Sequence, residues 1–441
     1  MSAPTMLQSA AEQALQFAKS RGATAAEVEV SASTGQNVTV RFDEVETIEH
    51  NRDKGLGVTV YLGQQRGNAS TTDLSPNAIA RTVDAAVAIA KYTAADEFAG
   101  LADADRLAKA PFAQFDLYHP WQPTIDEAVG ICREMESAAF AVDKRIDNSE
   151  GASLSTSESD FIYANSAGFT GGYASTRHSA SVTMIATAAS GMQRDYWYSV
   201  ARGRHGLETP AAIGLRAGQR TVSRLNARRI PTGDMPVLFD TTVAPGLIGA
   251  FVSAVSGSSL YRKSSFLLDS MGKAVFAKSI SISEDPFIPQ GMASGPFDSE
   301  GVATAAREVV KDGVLQGYFL SSYSARKLGL ESTGNAGGNH NLIVSHDHRD
   351  LAALLKKMDR GLYVTETMGH GGNAVTGDYS LGAAGFWVEG GEIQFPVEEI
   401  TVAGNLRTMF TGIVGVAGDA LPYGSKRVGS MLIDRMSVAG E

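Results

Sequence analysis

The spacing of apolar residues changes period several times along the chain, and each change marks an element. Leu7, Ala11, Ala14, Leu15 and Ala18 fall on one helical face, with Gly22 placed to end the helix. The period then drops to two. Residues 27–30, 38–42 and 58–62 alternate as half-buried antiparallel strands do. Ser75-Pro76 opens a second helix whose apolar face is Ile79, Val83, Ala86, Val87 and Ala90. Thr124 with Glu127 is a capping box, and predicts a third helix carrying Ile125, Val129, Ile131, Cys132 and Met135. Strands follow around 154–164 and 181–187, and a fourth helix runs from Thr209-Pro210 to about Leu225.

Residues 226–234 are polar and then rich in helix and strand breakers, and they mark a domain boundary. Beyond them strand signals dominate. Asp312-Gly313 and Gly390-Gly391 each sit between apolar runs as hairpin turns. A short helix runs from Asp350 to Met358, and the apolar segment 243–260 predicts a buried helix. The pattern therefore implies an α+β fold in two domains. Residues 1–226 form an N-terminal α/β domain with an antiparallel sheet and helices. Residues 227–441 form a C-terminal, mostly β, barrel-like domain.

Composition narrows the function. Hydrophobic residues are 43% of the chain, enough for a sizeable core and too many for a disordered protein. Lys and Arg number 38 against 48 Asp and Glu, and the net charge of −10 argues against an electrostatic grip on nucleic acid or an anionic membrane. The one cysteine, Cys132, excludes an intrachain disulfide and any multi-cysteine metal site, and its place on an apolar helix face points to a buried thiol. The start of the chain lacks a basic residue followed by an apolar run, and no stretch approaches the ~20 apolar residues of a membrane span. The expectation is a soluble cytoplasmic protein.

Most chemical motifs fail. No His-Glu dipeptide occurs, so a helical His-Glu-x-x-His zinc site is excluded. His346 and His348 are too few ligands for zinc, and their setting reads as a solvated loop in which Asp350 or Asp347 caps a helix. Ser324-Ala325-Arg326-Lys327 fits a serine acyl-enzyme pattern without that class's other motifs, and reads as a surface turn after a strand over 318–322. Two glycine-rich polar stretches remain, 330–339 and 369–380. Their Ser332, Thr333, Gly334 and Asn335, and His370, Asn373, Thr376 and Gly377, suit an extended peptide held through its main chain. Two tight loops closing a barrel explain the same pattern equally well.

Residues 298–302 (Asp-Ser-Glu-Gly-Val), 322–329, 332–336 and 373–385 together resemble the TldD/PmbA peptidase family, and its PmbA (TldE) branch in particular. The match is specific over the C-terminal half and looser but colinear before it. The resemblance implies a subunit of a cytoplasmic zinc-dependent peptidase in which a TldD-type chain pairs with a PmbA-type chain. Such a complex takes unfolded peptides, including leader peptides and antitoxins, into an internal groove as an added strand. The family's older label, modulator of DNA gyrase, gains nothing from a net charge of −10.

TldD-type chains carry His-Glu-x-x-x-His on a helix and a cysteine near the C-terminus. After Pro245-Gly246 this chain reads Leu-Ile-Gly-Ala-Phe-Val-Ser-Ala-Val, and its C-terminal region has no cysteine. The resemblance therefore assigns no catalytic or metal residue here, and leaves zinc to the TldD-type partner. A non-catalytic partner subunit is the first expectation. A self-sufficient peptidase using His346, His348 and His370, or a non-enzymatic peptide-binding scaffold, are the alternatives. A homodimer in isolation is also compatible, with the small residues of 253–259 against a partner or, more simply, packed in the core.

Overall fold

A computed structural model describes residues 3–369 and 371–440. Helix α1 (Ala3–Ser20) buries Leu7, Ala11, Ala14 and Ala18 as its spacing requires. It is followed by β1 (Ala25–Arg41), β2 (Glu44–Leu62), β3 (Gln65–Thr71) and α2 (Pro76–Tyr92), where the Ser75 hydroxyl accepts from the Ala78 amide. A long connection leads to α3 (Ile125–Phe140), started by the Thr124–Glu127 capping box. Then come β4 (Ile146–Asn165), β5 (Thr170–Ala188), β6 (Gly191–Ala201) and α4 (Pro210–Ser223).

The six strands form one antiparallel sheet in the order β3-β2-β1-β4-β5-β6. Segments 27–30 and 38–42, expected as separate strands, are the two ends of β1. The polar residues between them lack apolar alternation, but β2 and β4 pair with them on either side, and a two-sided ladder holds the backbone extended whatever the side chains. Phe42 lies beyond the strand, in a turn with Asp43 where both residues have positive φ. One end of the sheet packs Val28, Val30, Val58, Val60 and Ile162 with α1 and α2. The other packs Val38, Val40, Leu154, Val182 and Met184 with α3 and α4. Even-numbered residues of β1 serve both ends, so both helix pairs share one face.

The second half begins with β7 (Gly233–Phe239), α5 (Ala244–Ala254), α6 (Gly257–Tyr261), β8 (Ile282–Asp285), β9 (Arg307–Lys311) and β10 (Val314–Leu315). It continues through α7 (Ser322–Leu328), β11 (Asn341–Val344), α8 (Leu351–Met358), β12 (Gly361–Met368) and β13 (Asp378–Glu389). It ends with β14 (Glu392–Asn405), α9 (Leu406–Thr411), β15 (Ile413–Val416), β16 (Lys426–Arg427) and β17 (Met431–Ala439). Strands β14, β13, β12, β7 and β17 close into a barrel through the β14–β17 pairing, with β15 beside β17. A five-stranded sheet, β10-β9-β8-β11-β16, packs on the same core. At the β9–β10 turn Asp312 and Gly313 both have positive φ, and a Cβ at 313 would lie 2.5 Å from the Phe276 carbonyl, so glycine is required there.

Two expectations need correction. The apolar segment 243–260 is two helices, broken where Ser256 caps α6 and bridges to Phe319. Ser324 lies in no surface turn. Ser321 caps α7 and Ser324 is the third residue of a reciprocal capping box, buried against Gly257, while 318–322 is not a strand of a sheet. The capping serines were misread because Ser-rich runs favour turns and helix starts for the same reason.

The halves meet over the helix-free face of the first sheet. Tyr163 and Phe169 pack there with Phe297, Val302 and Leu107. Arg326 of α7 reaches the Gly100 carbonyl (3.3 Å) and Asp103 (2.9 Å), and Tyr323 donates to Asp96 (2.6 Å). Among the described residues, no helix is long and apolar enough to cross a membrane.

Candidate functional site

Helix α5 occupies the place where the resemblance would put zinc ligands. Leu247, Ile248, Phe251 and Ala254 are buried in the C-terminal core, while Gly246 and Ser253 are exposed. Neither face offers an imidazole, a carboxylate or a thiolate, so the residues present do not fit a zinc ion. Among the described residues, no group of three or more His, Cys, Asp or Glu side chains is placed to hold a metal. His346 and His348 sit on the loop before α8. His348 Nε2 is 3.1 Å from Lys357 Nζ, an ammonium that competes with any metal at that nitrogen. Asp350 caps α8 by accepting from the Ala353 amide at 3.0 Å. His370 lies outside the described residues.

The first glycine-rich loop is sunk between the halves. Glu284 is 1% exposed and accepts from Arg307 Nε at 2.7 Å. Asn335 completes this pair: its Oδ1 accepts from Arg307 Nη2 (3.0 Å) and from the Thr333 hydroxyl (2.7 Å), and its Nδ2 donates to Glu284 Oε1 (2.8 Å). Ser332 donates to the Leu320 carbonyl at 3.2 Å, and Gly334 has φ of +70° with its carbonyl facing His340 Nε2 at 2.9 Å. Thr333 and Asn335 thus face inward onto a buried charge pair, and at Gly337 and Gly338 what the loop presents outward is backbone.

That backbone lines a cavity of about 430 Å³ between the helix-free sheet face and the loops of the C-terminal half. Gly337 and Gly338 form one wall, Phe161, Tyr173 and Phe297 another, with Glu29, Arg202 and Asp298 as its charged groups. Asp298 is 5% exposed, and burial pushes its carboxyl up to about 7 although the amides of Glu300, Val302 and Ala336 all donate to it. Burial likewise raises the Glu29 carboxyl, with the nearby Glu27 charge adding to it. Arg202 donates to the carbonyls of Thr176, Gly291 and Met292 at 2.9, 3.1 and 2.9 Å, while its buried Nε has no partner among the described residues. Acids, a guanidinium and open backbone within one cavity suit the polar groups of a peptide better than an apolar ligand.

The second loop joins β12 to β13 at the surface. Asn373 Oδ1 accepts from the amides of Val375 (2.9 Å) and Thr376 (3.2 Å), and the Thr376 hydroxyl donates to Asp378 (2.7 Å). That bond and one from Asn405 hold the Asp378 carboxyl below the usual range. Gly377 has φ of +82° against the Phe266 ring. No hydrogen bond joins the two loops among the described residues. Cys132 is fully buried, and burial pushes its thiol up to about 12, far from a nucleophile's range.

Sequence reasoning did not single out Glu29, Arg202, Asp298 or His340. Asp298 was legible only as part of the 298–302 family text. Glu29 and Arg202 carry no local signal, because the cavity exists only once residues from both halves are brought together.

Models of the PmbA/TldA metallopeptidase domain 1, central domain and C-terminal domain match residues 26–90, 118–225 and 232–440. The chain is 48% identical to metalloprotease PmbA of Escherichia coli O157:H7, over 99% of this chain and 96% of that one. It is 46% identical to a metalloprotease PmbA homolog of Haemophilus influenzae, over 98% and 96%. In structure it resembles a Bacteroides thetaiotaomicron protein assigned to the modulator of DNA gyrase group, with a TM-score of 0.93 and 26% identity over 98% of this chain and 99% of that one. TldE of Thermococcus kodakarensis shares the fold, with a TM-score of 0.84 and 19% identity over 98% and 100%.

Proposed function

The chain belongs to the PmbA/TldD metallopeptidase family, and from that premise we propose that it is the non-catalytic, PmbA-type subunit of a two-chain zinc peptidase acting on unfolded peptides. The observation that carries this reading is α5. Where the resemblance calls for two imidazoles and a carboxylate, the helix carries Leu247, Ile248, Gly249, Ala250, Phe251, Val252 and Ser253. Without such donors no metal polarises a carbonyl or activates water in this chain. A TldD-type partner supplies the zinc, and this subunit completes the groove that receives the peptide.

In this reading the cavity beside Gly337 and Gly338 is the part of the groove this chain contributes. Its backbone and charged groups favour recognition of main chain over any one side chain, as a processor of unfolded segments requires. Of the loop residues, Asn373, Thr376 and Gly377 are proposed to meet peptide at the barrel rim. Ser332, Thr333, Gly334 and Asn335 act on it indirectly, by holding 336–339 in place. We assign the complex to the cytoplasm and propose no contact with DNA, in keeping with the net charge of −10.

The test mixes the purified chain with its TldD-type partner and an unfolded peptide. The expected result is no hydrolysis by this chain with zinc added, and chelator-sensitive hydrolysis by the mixture. Arg202→Ala should then raise KM for the peptide with little change in kcat. Chelator-sensitive proteolysis by the chain alone overturns the reading.

A further inference from the structure

A second cavity, of about 750 Å³, opens where the halves meet, and it shares no lining residue with the one beside Gly337 and Gly338. The first sheet contributes Glu27 of β1 and Arg66 of β3. Glu27 alternates with the core residues Ala26 and Val28 and so points to the helix-free face. Arg66 points the same way, because its neighbour Gly67 faces α2, where a Cβ would lie 2.0 Å from the Ala86 carbonyl. The two backbones stand two strands apart, roughly 10 Å across the sheet. The C-terminal half contributes Glu300, Tyr323 and Lys327. Residues 93–100 also line the space and are tied to both halves. The Asp96 amide donates to the Gln64 carbonyl at 3.0 Å, and the Asp96 carboxylate accepts from Tyr323 at 2.6 Å.

Charges around this junction are mostly paired. Lys327 lies 3.4 Å from Asp96, and Arg326 lies 2.9 Å from Asp103. Inside the cavity the pattern breaks. Among the described residues, Glu27, Glu97, Glu300 and Arg66 make no ion pair. Tyr61 donates to Glu27 Oε1 and Tyr163 to Oε2, both at 2.8 Å, which fixes the carboxylate and leaves each oxygen a lone pair. Glu300 accepts one bond, from the Ser322 amide at 2.8 Å. Burial raises the Glu27 carboxyl and the two tyrosines oppose the rise. The Glu300 and Arg66 charges act on it in opposite senses, so both stand within electrostatic reach. Two carboxyls brought together from different halves repel unless a cation joins them. Among the described residues no third donor makes the place a metal site. An ammonium group needs only acceptors, and the unpaired guanidinium of Arg66 is a ready partner for a carboxylate. We propose that this cavity binds a small molecule carrying both groups, a basic amino acid or a short basic peptide with free ends, with its ammonium at Glu27 and Glu300 and its carboxylate at Arg66. The inference uses a different cavity from the proposed groove and does not depend on the peptidase reading.

Titration calorimetry of the full chain with L-lysine and with the dipeptide lysyl-alanine tests it. Saturable one-to-one binding of at least one, with Kd of about 1 mM or tighter, is expected. Binding of lysine identifies a free amino acid as the ligand, and binding of the dipeptide alone identifies a peptide. L-Glutamate, of opposite net charge, should bind about tenfold more weakly or worse than the better of the two. Arg66→Ala should weaken that better ligand about tenfold, yet leave L-lysinamide, which has no carboxylate, unweakened. Glu300→Gln should weaken both. Arg66 is exposed, so its replacement leaves the fold intact. The glutamate and lysinamide comparisons on the unaltered chain stand even if Glu300→Gln folds poorly. No saturable binding of either probe, glutamate bound as tightly as the basic ligand, or an Arg66→Ala loss that is equal with and without the carboxylate overturns the proposal. None of these measurements involves hydrolysis or a partner chain, so their failure and that of the peptidase reading are distinguishable.

Discussion

The loops 332–339 and 373–378 look alike in sequence, each interleaving glycine with Ser, Thr and Asn, yet they do opposite things. Asn373 and Asn335 show the difference. Asn373 accepts from two amides of its own loop and leaves the chain around it exposed. Asn335 is 5% exposed and joins Glu284, Arg307 and Thr333 across the C-terminal half. The same residue type organises a surface turn in one place and stabilises a buried charge pair in the other. Composition reports what a loop can bond to. Only the surroundings decide whether the bond faces solvent or core.

The largest way to sharpen this contrast is to break the buried pair. Glu284→Ala leaves the Arg307 guanidinium without its carboxylate, and should cost about 3–5 kcal/mol in denaturant unfolding. A loss below about 1 kcal/mol would show that the first loop does not depend on what lies beneath it.

A smaller effect is expected at Asp298, which ties the Ala336 amide to the 298–302 turn. Its folded carboxyl lies at about 7, above the usual 3.8, so between those values the folded chain holds a proton that the unfolded chain has released. Stability at this site is therefore fully present at acid pH, falls as pH rises from about 4 to about 7, and is level above that. The contribution is at most about 4 kcal/mol. Asp298→Asn should lose this fall in stability over that window, and an unchanged slope in the variant would place the titration elsewhere.

The smallest effect is expected at the surface loop. Asn373→Ala should cost no more than about 1 kcal/mol, since water replaces the two lost bonds. If the proposed role at the barrel rim is right, the same change lowers peptide turnover by the two-chain complex while the melting temperature barely moves. A large loss of stability would make the two loops alike after all.

The elements that the sequence foretold best were those with local signals. Ser75-Pro76, Thr124 with Glu127, and Asp312-Gly313 each involve residues within one turn, and each appears where its chemistry placed it. The full length of β1 was hidden because residues 31–37 are extended by their neighbours and not by their own pattern. Helix α7 was hidden because its capping serines look like any serine-rich turn. At the cavity, the motif text contained Asp298 but gave no reason to choose it. Glu29 and Arg202 were silent because they stand far along the chain from Gly337 and Gly338.

By itself the sequence determined the α+β class, the capped helices and tight hairpins, the family, and the absence of metal donors from α5. Each follows from residue identity or from spacing within a turn or strand. The tertiary structure alone decided that β14 returns to β17 to close the barrel, that Asn335 sits under the surface and Asn373 on it, and that one edge of the first sheet is left open. These depend on contacts between distant residues, such as the 51-residue separation between Asn335 and Glu284. Burial and pairing at that range are properties of the packed chain, and no local pattern encodes them.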